Sequence, residues 1–250
     1  MKRIFLLIAL FCSCTVYAQN AEVKEKLVGG NSKEGQKVIR PLMEKAGKDI
    51  YGDDGKIIDS ATAVAMLKTF KYKSHFGIPP GQTELKRMVS KIDSVAQERE
   101  DKNIIALSRV ESPKLWQGAK LDLGPLSGRT DIAKLDGKAV VLIFWRANAH
   151  PRGTTSYEEI NDVIAKYIDK KKFEVMAITG LAYNEAKKYN NINPILNAHF
   201  IIDAQAILNA YGVGDKPAIV VTDTNHLVKY AVVNYVAITP RILNNLLSEL

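Results

Sequence analysis

Cys12 and Cys14 are the only two thiols in this 250-residue chain, and a thiolate is the group that attacks a disulfide sulfur or a peroxide. Both lie in an opening segment that reads as an export leader. Lys2 and Arg3 are followed by the apolar run of residues 4–11 and by the small-residue exit Val16-Tyr17-Ala18 before Gln19. That run is far shorter than the ~20 residues of a membrane-spanning helix, and no later stretch is long and apolar enough to span. Cleavage after Ala18 is therefore expected, giving a soluble periplasmic or secreted product with no thiol and no disulfide framework. Acylation of Cys14 would want an aliphatic and then a small residue ahead of it, where Phe11-Cys12-Ser13 stands.

Other residues could do different chemistry. Arg146, His150 and Arg152 flank the start of a helix expected near Thr155, and free N–H groups there could hold a carboxylate, phosphate or sulfate. The alternative is a loop of solvated polar side chains. His75, His150, His199 and His226 show no ligand spacing, so neither metal nor cofactor is expected. Asp53, Asp54 and Asp59 lack the alternating donors and closing Glu of a calcium loop. Asp136 and Asp203 have no partner for paired-carboxylate hydrolysis, and no GxSxG or phosphate loop is present. The net charge of +8 becomes +6 once Lys2 and Arg3 leave. Basic residues are spread without aromatic interleaving, and Lys170-Lys171-Lys172 reads as a solvated helix end, so no nucleic-acid partner is expected.

The elements that must position these groups fall into two regions. Residues 19–112 read as mostly helical: Val38, Ile39, Leu42 and Met43 lie at helical spacing, as do Ala63, Met66, Leu67 and Phe70. A third helix is predicted over 83–98 from Leu85, Met88, Val89, Ile92 and Val95. It runs into the charged stretch 97–102, which reads as a boundary. The 51–56 segment and Gly77-Ile78-Pro79-Pro80-Gly81 are breaks. Residues 113–250 alternate β-rich and helical runs. Strands are predicted at 139–145, 173–179, 199–202, 218–222 and 227–233. Helices are predicted at 156–168, 183–189, 204–211 and 240–250, the first with capping boxes Thr155/Glu158 and Ser156/Glu159. The unbroken apolar run at 139–145 is expected to be a central strand buried on both faces.

That order, βαβα, then a β-hairpin, then α, resembles thioredoxin topology, and residues 115–250 resemble the secreted TlpA and ResA type of thiol-disulfide oxidoreductase. Leu135-Asp136-Gly137-Lys138 leads into Val140 to Trp145 as the family's "LKGKVVLLNFW" does. Ala210-Tyr211-Gly212-Val213 with Lys216-Pro217 is similar to its "YGV" and cis-proline element, and Val221-Thr222-Asp223 to His226 to its "IDxxG" hairpin. The resemblance implies an α/β thioredoxin-like C-terminal domain, a mixed sheet flanked by helices. It also implies a cis Pro217 that pairs with an extended peptide beside Trp145, Arg146 and Lys216. The family's CxxC positions hold Ala149 and Arg152, with His150 and Pro151 between them. Alanine offers no nucleophile, so no catalytic residue is expected.

Two functions follow from different classes. The first is a non-catalytic module of the cell envelope that binds a protein, an extended peptide or a small anion. The second is a TlpA-type thiol-disulfide oxidoreductase in cell redox homeostasis that relies on a partner's thiol. A thiol-free reaction with His150 as general base is a further alternative.

Overall fold

The computed structural model describes residues 45–146, 157–214, 216–234 and 238–250. The leader, the helical pattern at 38–43 and the Thr155 and Ser156 capping boxes lie outside the described residues. The chain divides into two compact units, the first ending at Gln97 and the second running from Glu98 to Leu250. Among the described residues no helix is long and apolar enough to cross a membrane.

The first unit contains strands β1 (Ile50–Tyr51), β2 (Ile57–Ile58), β3 (Tyr72–Gly77) and β4 (Lys86–Lys91), with helix α1 (Ser60–Lys68) between β2 and β3. The sheet order is β2-β1-β4-β3. Asp59 caps α1 by accepting from the Thr62 N–H at 2.9 Å. Asp54 accepts from the Lys56 N–H in the turn between β1 and β2. The expectation of a mostly helical region does not hold for residues 45–91, and residues 86–91 form a strand instead of the predicted helix. Met88 and Val89 are adjacent, and both are buried. Neighbouring residues on a strand point to opposite faces, so here both faces are covered. β4 also has hydrogen-bonded neighbours on both edges, parallel to β1 and antiparallel to β3. Pairing across the sheet overrides an apolar spacing that fits a helix equally well.

Helix α2 (Ser94–Leu107) runs straight through the charged stretch at 97–102. The division between the two units falls at Gln97/Glu98, inside the stretch read as a boundary, while Asp101 within it is buried and pairs with Arg241. Beyond it, Val233 N–H donates to the Ser108 carbonyl at 2.8 Å, so residues 98–112 belong to the second unit rather than to the region before 113.

The second unit follows the predicted order closely: β5 (Ala139–Phe144), α3 (Tyr157–Tyr167), β6 (Phe173–Ile178), α4 (Tyr183–Ile192), β7 (His199–Ile201), α5 (Gln205–Tyr211), β8 (Ala218–Thr222), β9 (Val228–Val233) and α6 (Thr239–Ser248). The strand order is β7-β6-β5-β8-β9, with β5 parallel to β6 and antiparallel to β8. All six residues of β5 are buried, as the middle strand of a sheet covered on both faces requires. Val140, Leu142 and Phe144 pack with Met176, Ile178, Leu208 and Tyr211 on one face. On α3, Tyr157, Ile160, Val163, Ile164 and Tyr167 are buried, and α3 packs against α6. Each large apolar side chain so buried contributes about 1.5–3 kcal/mol.

At the start of β5 the buried Val140 N–H donates to the Thr222 hydroxyl at 2.9 Å, beside a register shift in the β8–β9 ladder. Thr222→Val should leave that N–H without an acceptor and cost about 1–3 kcal/mol in a denaturant titration. Thr222→Ser should recover most of it.

Candidate functional site

The site expected from the sequence lies at the ends of β5 and β8. These strands pair Ile143 with Ile219 and Phe144 with Ala218, so four of the expected binding residues flank the last pair of that ladder, Trp145 and Arg146 directly after β5 and Lys216 and Pro217 directly before β8. His150 and Arg152, with Ala149 and Pro151, lie outside the described residues.

Each of the four is already engaged within the fold. Trp145 is 3% exposed, its backbone N–H donates to the Ile178 carbonyl at 3.0 Å, and its ring meets Phe200 edge-on at 6.3 Å. It is a wall of the core rather than an open platform. Its Nε1 is buried with no hydrogen-bond partner among the described residues. Arg146 donates from Nη2 to the Gly214 carbonyl at 2.6 Å. The exposed Lys216 ammonium donates to Glu111 Oε1 at 2.8 Å, and that bond holds the Glu111 carboxyl below its usual range. Pro217 is buried, and its carbonyl accepts from the Asn234 N–H at 2.8 Å.

The cis bond expected at Pro217 is corrected, since no peptide bond among the described residues is cis. Trans is the default of an X-Pro bond by about 0.5–1 kcal/mol.

The start of α3 is furnished in a way the sequence did not reveal. The Tyr157 N–H donates to Asn193 Oδ1 at 3.2 Å. Asn161 donates to the Pro194 carbonyl at 2.8 Å and accepts from the Leu196 N–H at 2.9 Å. Two asparagines, far apart in sequence, thereby lock the helix to the loop ahead of β7, and nothing in their local sequence marks them. The first turn of α3 also carries Glu158 and Glu159, which already complement the helix dipole. Burial, then the charges of Glu158 and Asp162, push the Glu159 carboxyl up from its usual range.

Two of the described histidines sit against backbone carbonyls distant in sequence: His199 Nε2 lies 3.2 Å from the Arg129 carbonyl, and His226 Nε2 lies 3.0 Å from that of Leu135. Among the described residues no three His, Cys, Asp or Glu side chains gather as metal ligands would.

No protein-family model and no curated protein matches the chain. Similar solved structures include a secreted Mycobacterium tuberculosis disulfide oxidoreductase homologous to E. coli DsbE, at 22% identity and TM-score 0.40, over 48% of this chain and 88% of that one. M. tuberculosis DsbF is 18% identical, with TM-score 0.36, over 46% and 82% of the two chains. A Xylella fastidiosa PrxQ mutant is 16% identical, with TM-score 0.43, over 54% and 97%. What decides the fold is the connectivity: β5-α3-β6 with parallel strands, then the antiparallel β8–β9 hairpin, closed by α6. The second unit has a thioredoxin-like fold.

Its landmark residues have physical reasons to be where they are. Tyr211 is buried, and its hydroxyl donates to the Asp122 carbonyl at 2.7 Å. Gly212 ends α5 at φ 67°, a left-handed helix stop that suits glycine. Gly137 turns the chain into β5 at φ 68°. His226, where the family pattern has glycine, also sits left-handed at φ 62°, and its bond to the Leu135 carbonyl helps hold it there.

Proposed function

We propose that the chain is a non-catalytic binding module of the cell envelope, exported with a leader cleaved after Ala18, whose thioredoxin-like domain has lost its dithiol. The observation that carries this reading is the placement of its thiols. Cys12 and Cys14 are the only cysteines, and the positions after Trp145 that match the family's CxxC hold Ala149 and Arg152. Sulfur exchange begins with a thiolate attacking through a mixed disulfide, and neither residue can supply one. The partner suited to this domain is an extended segment of another envelope protein held beside Trp145, Arg146, Lys216 and Pro217. A small anion could bridge Arg146 and the His150 to Arg152 stretch near Thr155.

Insulin reduction with dithiothreitol as electron source tests the proposal. The protein without its leader is expected to match the uncatalysed rate, and the Ala149→Cys/Arg152→Cys variant is expected to reduce insulin measurably faster. Turnover by the unmodified protein would overturn the reading in favour of an oxidoreductase. A restored variant that folds yet stays inert would show that 149 and 152 are not the dithiol positions.

A further inference from the structure

The first unit holds a serine and a histidine in the geometry of an activated nucleophile. β3 and β4 pair Lys73 with Ser90 and His75 with Met88, so these four side chains leave the same face of the sheet, with His75 one diagonal step from Ser90. His75 Nε2 lies 2.8 Å from the Ser90 hydroxyl oxygen, and its Nδ1 lies 3.2 Å from the Phe76 carbonyl. A carbonyl can only accept, so Nδ1 carries the ring proton. Nε2 is left with its lone pair and accepts from the Ser90 hydroxyl. A nucleophile, a base and a group that fixes the tautomer of the base are the three parts of serine–histidine catalysis.

The surroundings suit that chemistry. A Cβ on Gly77 would lie 3.1 Å from His75 Cε1 and 2.9 Å from Met88 Sδ, so the imidazole and the thioether fill the room that a side chain would take there. Both His75 and Ser90 are half-buried rather than sealed from solvent. Burial first, then the charge of Lys73, pull the His75 pKa below its ordinary value, against the Phe76 bond and the charge of Asp53. The ring is therefore a neutral base at pH 7. Lys73 stands directly opposite Ser90, with the two Cβ atoms about 4.5–5.5 Å apart, and it sets a positive charge beside the place where a substrate oxygen would become negative.

We propose that Ser90 and His75 form a nucleophilic site that hydrolyses carboxylic esters. Ser90 Oγ attacks the ester carbonyl carbon while its proton passes to His75 Nε2. The tetrahedral oxyanion collapses, the bond to the leaving oxygen breaks, and the departing alcohol takes the proton from His75. Water then attacks the acylated Ser90 in the same way, releasing the carboxylic acid and restoring the hydroxyl. Esters suit the pair better than amides, because Nδ1 faces a carbonyl and not a carboxylate, which leaves the imidazolium less stabilised for an amine leaving group. The site belongs to the first unit and adds acyl transfer to the binding role of the second. Insulin reduction tests one reading and ester hydrolysis the other, so either can fail alone.

The test treats the full chain with an alkyl fluorophosphonate, which traps activated serines, and separately with p-nitrophenyl acetate. Peptide mass spectrometry is expected to find the phosphonyl group on Ser90, and p-nitrophenolate release is expected to exceed that of Ser90→Ala. His75→Gln should slow the labelling of Ser90 at least about 100-fold. The pH profile of labelling in the unmodified protein decides the matter if circular dichroism shows that a variant has not folded. With His75 as base the rate should level off once the ring has lost its proton, at a midpoint below that of an ordinary histidine. A serine ionised by hydroxide alone would instead react about tenfold faster with each pH unit. An unlabelled Ser90, equal labelling in folded His75→Gln, a rate that climbs without a plateau, or ester hydrolysis no faster than that of folded Ser90→Ala would overturn the proposal.

Discussion

Asp101→Ala is expected to destabilise the second unit by about 3–5 kcal/mol, a large share of the roughly 5–15 kcal/mol that a domain has. Asp101 is 6% exposed, and its carboxylate accepts from the guanidinium of Arg241, itself largely buried. Removing the carboxylate strands the Arg241 charge away from water, and that penalty exceeds whatever the intact pair contributes on its own. The pair ties α2 to α6, two elements 140 residues apart in sequence. Beside α6, the Tyr230 hydroxyl lies 2.8 Å from the Thr239 hydroxyl, so the disturbance falls where α6 joins β9. Thermal denaturation should show a fall of about 10 °C or more. Adding Arg241→Met to Asp101→Ala should recover most of it, because the stranded charge is then gone. A loss below about 1 kcal/mol in the single variant would mean that the pair is hydrated and contributes as a surface bridge does.

The same residue shows where sequence reading ran out. Asp101 lies in Glu98-Arg99-Glu100-Asp101-Lys102, a run whose charge marked the boundary between the two units, but only the position of Arg241 identifies this one carboxylate as interior. Tertiary pairing of that kind leaves no local trace. The 86–91 strand failed for a related reason, since Leu85, Met88, Val89 and Ile92 satisfy helical spacing while the backbone was claimed by β1 and β3 on either side.

By contrast, β5 was legible because burial on both faces forces every side chain to be apolar, and Ala139 to Phe144 contains no exception. The α3 stripe at Ile160, Val163, Ile164 and Tyr167 was legible because one face of an amphipathic helix is buried. At the site itself, residue type showed which side chains could bind but not which were already occupied. Arg146 and Lys216 read as open cations in the sequence, yet they bond to Gly214 and Glu111. Asn161 and Asn193 carried no sequence signal, yet they set the start of α3.

Phe144→Ala is expected to cost about 3–5 kcal/mol and to disturb the candidate site as well as the core. Phe144 is the last residue of β5, fully buried, and its ring meets Tyr211 edge-on with centroids 5.8 Å apart at 64°. Truncation removes the apolar contacts and leaves a cavity bounded by strands that cannot close over it, since Phe144 is paired with Ile178 on one side and Ala218 on the other. Tyr211 loses its edge-to-face partner while its hydroxyl stays bound to the Asp122 carbonyl, so α5 cannot slide in to fill the space without breaking that bond. Tyr211→Phe separates the two contributions, because it keeps the ring and loses only the hydroxyl, for about 1 kcal/mol. The next residue along, Trp145, then reports on the site. Its ring is held against Phe200 at 6.3 Å, and a cavity one residue away should red-shift and broaden its fluorescence in the folded Phe144→Ala protein. A full-sized stability loss with unchanged emission would mean that the core relaxes without moving the β5 end, and that the candidate site is mechanically separate from the packing beneath it.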